Sequence, residues 1–208
     1  LTTFGILFSI LFEAIEFFKL RSFWYFLTGT VWTPGVAGSQ FGALPIFAGT
    51  FVITVIALLV AIPIGLGSAI YMSEYASPKL RDYLKPLLEV LAGIPTVVYG
   101  FFAAVTVAPF VVKVAAIFGL EATFNSALAS GVVMGIMIIP LVSSLSDDVI
   151  KAVPDSQRKA AFGLGMTHGE TIKNIVLPSA MPGIISASLL ALSKALGETM
   201  IVVMAAGL

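Results

Sequence analysis

Residues 147–182 read DDVIKAVPDSQRKAAFGLGMTHGETIKNIVLPSAMP, a long polar stretch set between long apolar ones. Two short helices are predicted in it. Pro154 presets the backbone for a helix start, and Asp155 or Ser156 is placed to cap the first free amides. That helix runs through Lys159, Ala160 and Ala161 and ends near Gly163 or Gly165, since glycine tolerates positive φ. Thr167-His168-Gly169-Glu170 has the spacing of a capping box and starts a second helix. Pro178 disfavours helix at the residue before it, so this second helix is expected to stop by Leu177. The predicted shape is helix, glycine joint, helix, with a small surface at Ala160–Ala161. Such a shape suits a groove on another protein, or an amphipathic loop lying on a membrane.

Composition decides what surrounds this stretch. Of the 208 residues, 59% are hydrophobic and 11% charged. A soluble domain carries about 25% charged residues, so this chain is expected to be an all-α integral membrane protein. Eleven Lys and Arg balance eleven Asp and Glu, which leaves no nucleic-acid footprint. There is no cysteine and one histidine, His168, so no thiolate or paired-histidine metal site is available. The chain opens with Leu1 rather than Met, and its true start is expected upstream.

Five apolar segments can be read in order. Residues 3–18 resemble the outer end of a first membrane helix, interrupted by Glu13 and Glu16. The aromatic run Phe23-Trp24-Tyr25-Phe26 and Trp32 suits a membrane–water boundary. Residues 44–73 and 90–112 are free of charge, as are residues 126–146. A spanning helix needs about 20 such residues. A loop at 74–89 and a brief polar connection holding Lys113, Glu121 and Asn125 separate them, and residues 183–208 form the last segment. If 74–89 and 147–182 share one side, that side holds seven Lys and Arg against three opposite. Positive charge collects inside, so both loops are predicted cytoplasmic.

The last segment carries Lys194 and Glu198, four residues apart and therefore expected on one helix face. A charge at the bilayer centre costs roughly 2.5–3.5 kcal/mol and usually marks a substrate or ion path. A self-neutralising structural ion pair is the alternative. No G-x-x-x-x-G-K-[ST] loop is present, so ATP is not hydrolysed here by that route.

Ala160-Ala161, Gly165, Ile175 and Leu177-Pro178 fall in the register of the "EAA" loop of ABC importer permeases, with Lys159 at the glutamate position. In that family the loop is a coupling helix seated in a cleft of the ATP-hydrolysing subunit. The runs FGALPIFAGT (41–50), AIYMSEYASPKLRDYLKPLLEVLAGIPTVVYGFFA (69–103) and ALSKALGETM (191–200) resemble, more narrowly, the phosphate-specific, PstC-type permeases. The resemblance implies one transmembrane permease domain over 1–208, with 147–182 as its coupling loop, a further helix beyond it, and a place in the plasma membrane of a prokaryote. It assigns Lys194 and Glu198 to phosphate passage, Lys194 standing where the family usually has arginine. It assigns Arg158, Lys159, Ala160, Ala161, Gly165, Glu170, Ile175, Leu177 and Pro178 to coupling. The implied partners are an ATP-binding subunit dimer holding ATP and magnesium, a second permease and an extracytoplasmic phosphate-binding protein. A proton-coupled transporter using Glu198, or an ABC permease for another small oxyanion, are the alternatives.

Overall fold

Long apolar runs broken by proline and glycine produce helices here, and the prolines set where those helices yield. The computed structural model describes residues 2–35, 38–117, 119 and 126–206. Among these residues the sole β pairing is an isolated bridge between Trp32 and Phe41. The helices are α1 Thr2–Leu20, α2 Phe23–Thr28, α3 Leu44–Tyr75, α4 Pro78–Ala92, α5 Thr96–Ile117, α6 Ala127–Lys151, α7 Asp155–Gly163, α8 His168–Leu196 and α9 Met200–Ala206.

The chain divides into two units, residues 1–51 and 52–208. In the first, α1 and α2 are joined by edge-to-face rings. Phe17 meets Phe26 and Phe41 at centroid distances of 5.6 and 5.7 Å. Gly29 and Gly42 lie so close that a Cβ on Gly29 would sit 2.7 Å from the Gly42 Cα. Among the described residues four helices, against five expected segments, are long and apolar enough to cross a membrane: α3, α5, α6 and α8. α1 falls short because Glu13, Glu16 and Lys19 crowd its 19 residues.

In the second unit α6 is the centre. Its most apolar window is 61% buried, against 17–28% in the other three spanning helices. Ile53, Ala57 and Ala61 of α3 meet Met134 and Ile138 of α6, with Ala191 and Ala195 of α8. Small residues allow this approach, as helices in lipid need close packing rather than water exclusion. A Cβ on Gly135 would stand 2.8 Å from the Ala57 carbonyl oxygen. Large apolar side chains point outward instead, among them Leu59, Phe101 and Leu189.

Three π-helical turns interrupt the helices, at 71–75, 103–107 and 172–176. The last two stand two residues before Pro109 and Pro178. Proline lacks an N–H and its ring crowds the carbonyl four residues back. A π turn widens the helix at that carbonyl and lets it continue. This corrects one expectation: the second helix of the 147–182 stretch does not stop at Leu177. It runs through Pro178 and Pro182 and becomes the spanning helix α8.

Three other boundaries differ from the sequence reading. The 74–89 loop is mostly α4, an amphipathic helix capped by Ser77, whose hydroxyl oxygen accepts from Leu80 N at 3.4 Å. The segment expected at 90–112 breaks at Gly93–Pro95, where the Tyr99 hydroxyl donates back to Leu91 O at 3.0 Å. Lys113 lies inside α5, while Glu121 and Asn125 lie outside the described residues.

Candidate functional site

The stretch after α6 folds as a helix, a glycine joint and the start of a long helix. α7 begins at Asp155 behind an extended Pro154, and neither Asp155 nor Ser156 caps it with a side-chain bond. Its end is a Schellman closure: Met166 N donates to Ala161 O at 3.1 Å, and Gly165 N to Phe162 O at 3.0 Å. That closure requires a left-handed residue, and Gly165 supplies it with φ +84. The predicted capping box is present. Glu170 N donates to Thr167 Oγ1 at 3.3 Å, and Thr167 N to Glu170 Oε2 at 2.8 Å.

An open groove of about 430 Å³ lies between α7 and the first turns of α8. It brings together Ala160, Ala161, Ile175 and Pro178, with Leu164 and Met166 at the joint. Lys159 and Ala160 are exposed. Of the expected Ala160–Ala161 surface, Ala160 is exposed, while Ala161 lines the groove but is itself buried. Leu177 also turns inward, against the cluster of Ala69, Ile150 and Val176.

Arg158 likewise turns inward. Its guanidinium points into the protein and donates to Glu74 Oε1 at 2.8 Å and to Ile150 O at 3.0 Å. It also donates to Val153 O and approaches Asp155 Oδ1 at 3.5 Å. One residue therefore ties the end of α3, the end of α6 and the start of α7. On its other side His168 Nε2 stands 4.0 Å from Glu74 Oε2, beyond hydrogen-bond distance. The His168 ring stacks on Tyr75 at 5.0 Å. Both halves of the polar stretch thus grip the last turn of α3.

A second link joins α4 to α6. Arg81 Nη2 stands 2.6 Å from Asp147 Oδ2, and Lys85 Nζ 2.6 Å from Asp148 Oδ1. Asp147 is fully buried, and its Oδ1 finds no hydrogen-bond partner among the described residues. Sequence reasoning missed Glu74, Arg81 and Asp147. The available signal was position: Glu74 and Asp147 are the first charges after the charge-free runs 44–73 and 126–146. The expected loop at 147–182 is correspondingly shorter, because 147–151 complete α6 and 168–182 belong to α8.

The membrane charges are arranged differently from the expectation. Lys194 and Glu198 do not share a continuous helix face. α8 ends at Leu196, Gly197 caps it, and Glu198 and Thr199 are non-helical before α9 begins. No ion pair joins the two side chains among the described residues. Glu198 Oε1 instead accepts from Met200 N at 3.0 Å and Ile201 N at 3.4 Å, satisfying the first amides of α9. Both Lys194 and Glu198 are half-buried. α9 then passes close to α5 at Gly100, where an added Cβ would meet Met204 Sδ at 2.9 Å. An interrupted helix with ionisable groups at the break can present backbone and side-chain polar atoms to a cargo within the membrane.

Three apolar helices packed around a fourth, α6, with the polar turn gathered at one end, make a multi-pass helical membrane fold. The chain belongs to the family of binding-protein-dependent transport system inner membrane components, whose family model matches residues 61–208. Among its relatives, a "Probable ABC transporter permease protein YqgH" of Bacillus subtilis is 36% identical over 182 residues, covering 88% of this chain and 58% of that protein. The "Phosphate transport system permease protein PstC 1" of Mycobacterium tuberculosis is 32% identical, covering 94% and 66%. The PstC of Mesorhizobium japonicum is 35% identical, covering 88% and 60%. The chain thus spans about three fifths of the length of the relatives it matches. A solved chain of the MetNI methionine ABC transporter, in inward-facing conformations, superposes with a TM-score of 0.53 at 21% identity. It covers 75% of this chain and 68% of that one, a likeness of fold.

Proposed function

We propose that this chain is the membrane-spanning subunit of an ATP-driven importer, and that its cargo is inorganic phosphate. The observation that carries the reading is one continuous helix, α8, that starts at the polar turn and ends at the Gly197 break. ATP would be hydrolysed by a partner dimer whose cleft takes the turn. Lys159, Ala160, Ile175, Pro178 and exposed Leu164 lie on the outside of that turn and would meet the cleft. Gly165 and Glu170 would set its shape, while Ala161, Leu177 and Arg158 would hold it to the spanning helices. The Lys and Arg imbalance supports a cytoplasmic position for both polar segments. A second permease would complete the pathway, and an extracytoplasmic binding protein would deliver the anion.

Phosphate is favoured over other oxyanions because named relatives are phosphate permeases. Lys194 suits an anion as a point charge, and Glu198 nearby would limit how tightly the anion is held. Conduction needs release as well as capture. Family membership supports ATP rather than a proton gradient as the energy source. The test is uptake of labelled phosphate into liposomes holding the full-length protein and its partner subunits, with sulfate as competitor. ATP-dependent uptake that sulfate does not suppress is the expected result. Uptake driven by a proton gradient without ATP would sink the reading.

A further inference from the structure

α4 turns its apolar side outward. Arg81, Leu84, Lys85 and Leu88 are half-buried on the side that packs against α6. Next to them, at helical spacing, stand Leu80, Tyr83, Leu87 and Val90, exposed by 39, 80, 54 and 68%. Lys79, Asp82 and Glu89 occupy a third, exposed edge. A water-facing helix keeps its apolar stripe toward the core and its charges outward. Here two of the charges bind the protein, and most of the stripe is uncovered among the described residues.

The level of α4 in the membrane follows from its ion pairs. Arg81 and Lys85 fix it beside Asp147 and Asp148, near the end of α6. Residues 127–146 of that helix carry no charge, so this acidic pair marks where α6 leaves the hydrocarbon. α4 is also held at both ends. Ala76 and Ser77 join it to the spanning helix α3, and Gly93–Pro95 join it to the spanning helix α5. Its 15 residues extend roughly 22 Å, and neither short connection lets it move far from that level. Beyond the corner, outward apolar residues continue with Val98 and Phe101 of α5.

We propose that α4 is an interfacial helix, with Leu80, Tyr83, Leu87 and Val90 seated in lipid at the headgroup–acyl boundary. Tyr83 suits that depth, since its ring is apolar and its hydroxyl can reach the headgroups. Lys79, Asp82 and Glu89 face water. Continuity with the bilayer-facing side chains of α5 favours lipid over a second permease as the occupant. The inference uses membrane insertion and not the cargo, so it stands or falls separately from the phosphate reading.

The sequence has no cysteine, so single substitutions can be labelled cleanly within it. Nitroxides at Tyr83→Cys, Leu87→Cys and Val90→Cys are compared with Asp82→Cys and Glu89→Cys, in the full-length protein assembled with its partners in liposomes. On the stripe, oxygen should relax the label several-fold more than a water-soluble nickel chelate does. On the edge the order should reverse. Stronger relaxation by nickel on the stripe would place it in water, and shielding from both reagents would place it under a protein neighbour. Either result overturns the proposal. Tyr83→Trp, a change conservative in shape, repeats the test without a label. Lipids brominated near the headgroup should quench it beyond the background of Trp24 and Trp32, and no added quenching would count against lipid contact.

Discussion

The polar turn between α6 and α8 and the break that follows α8 handle charge in opposite ways. At the polar turn, Glu74 and Arg158 lie 84 residues apart in sequence and meet at 2.8 Å, largely buried. Arg158 spends its remaining donors on main-chain oxygens of the α6 terminus. At the break, Lys194 and Glu198 are four residues apart and do not pair, because the helix that would have aligned them stops between them. The difference is between fixing and presenting. A buried guanidinium with several acceptors holds three segments in one geometry. A carboxylate turned to cap the next helix leaves a neighbouring ammonium to answer to something else.

The firmest test of the fixed end is Arg81→Ala. It leaves the fully buried Asp147 without its ion partner, a loss of about 3–5 kcal/mol for a broken buried pair. The expected outcome is sharply lower thermal stability of the purified protein, with Asp147→Asn partly restoring it in the Arg81→Ala background. Unchanged stability would mean that water, rather than Arg81, satisfies Asp147.

Gly165→Val comes next. No neighbouring atom lies within 4 Å of an added Cβ, so the cost is conformational, roughly 1–3 kcal/mol for a branched residue at positive φ. The expected result is misaimed coupling: ATP hydrolysis persists while phosphate uptake per ATP falls. Gly165→Asn should be milder, because asparagine tolerates the left-handed region. Equal uptake in Gly165→Val and the native protein would remove the joint from the mechanism.

Double-mutant cycles sharpen the contrast itself. Glu74→Gln with Arg158→Gln should show a coupling of about 0.5–3 kcal/mol in stability, as contacting residues do. Lys194→Ala and Glu198→Gln should each lower labelled phosphate uptake, yet their effects on stability should combine within about 0.5 kcal/mol of additivity, since Glu198 caps α9 instead of pairing with Lys194. Strong coupling in stability at 194 and 198 would show that the two side chains pair. The smallest effect is expected at Lys85→Ala, because the Lys85–Asp148 pair is solvent-facing and worth at most about 1 kcal/mol. A larger loss on denaturation would move that pair into the fixed set.

The sequence was informative where the determinant was local. Composition announced a helical membrane protein, the Thr167–Glu170 spacing announced its capping box, and Gly165 announced a left-handed joint. It was less informative where the answer depended on distant partners. Nothing near Arg158 reveals that its acceptors include Glu74, and nothing near Ala161 reveals that it is buried. Two local rules also misled. Pro178 suggested a helix end, but the π turn at 172–176 absorbs the missing donor. The four-residue spacing of Lys194 and Glu198 suggested a shared face, but Gly197 ends the helix.

The continuity of α8 has a mechanical consequence. Its 29 residues form a shaft of roughly 43 Å from the capped turn at Thr167 to the break at Gly197. A tilt imposed at one end reaches the other through one continuous backbone, as a displacement of the last turn, where Lys194 sits. The π turn is the softer point in that shaft, since its wider ring is less well bonded than the α-helix on either side. Labels at Ala180 and Leu196 should therefore keep their separation through the transport cycle, while a label at Gly169 shifts relative to both. A changing 180–196 distance would show that the shaft bends above the π turn and transmits less than its length suggests.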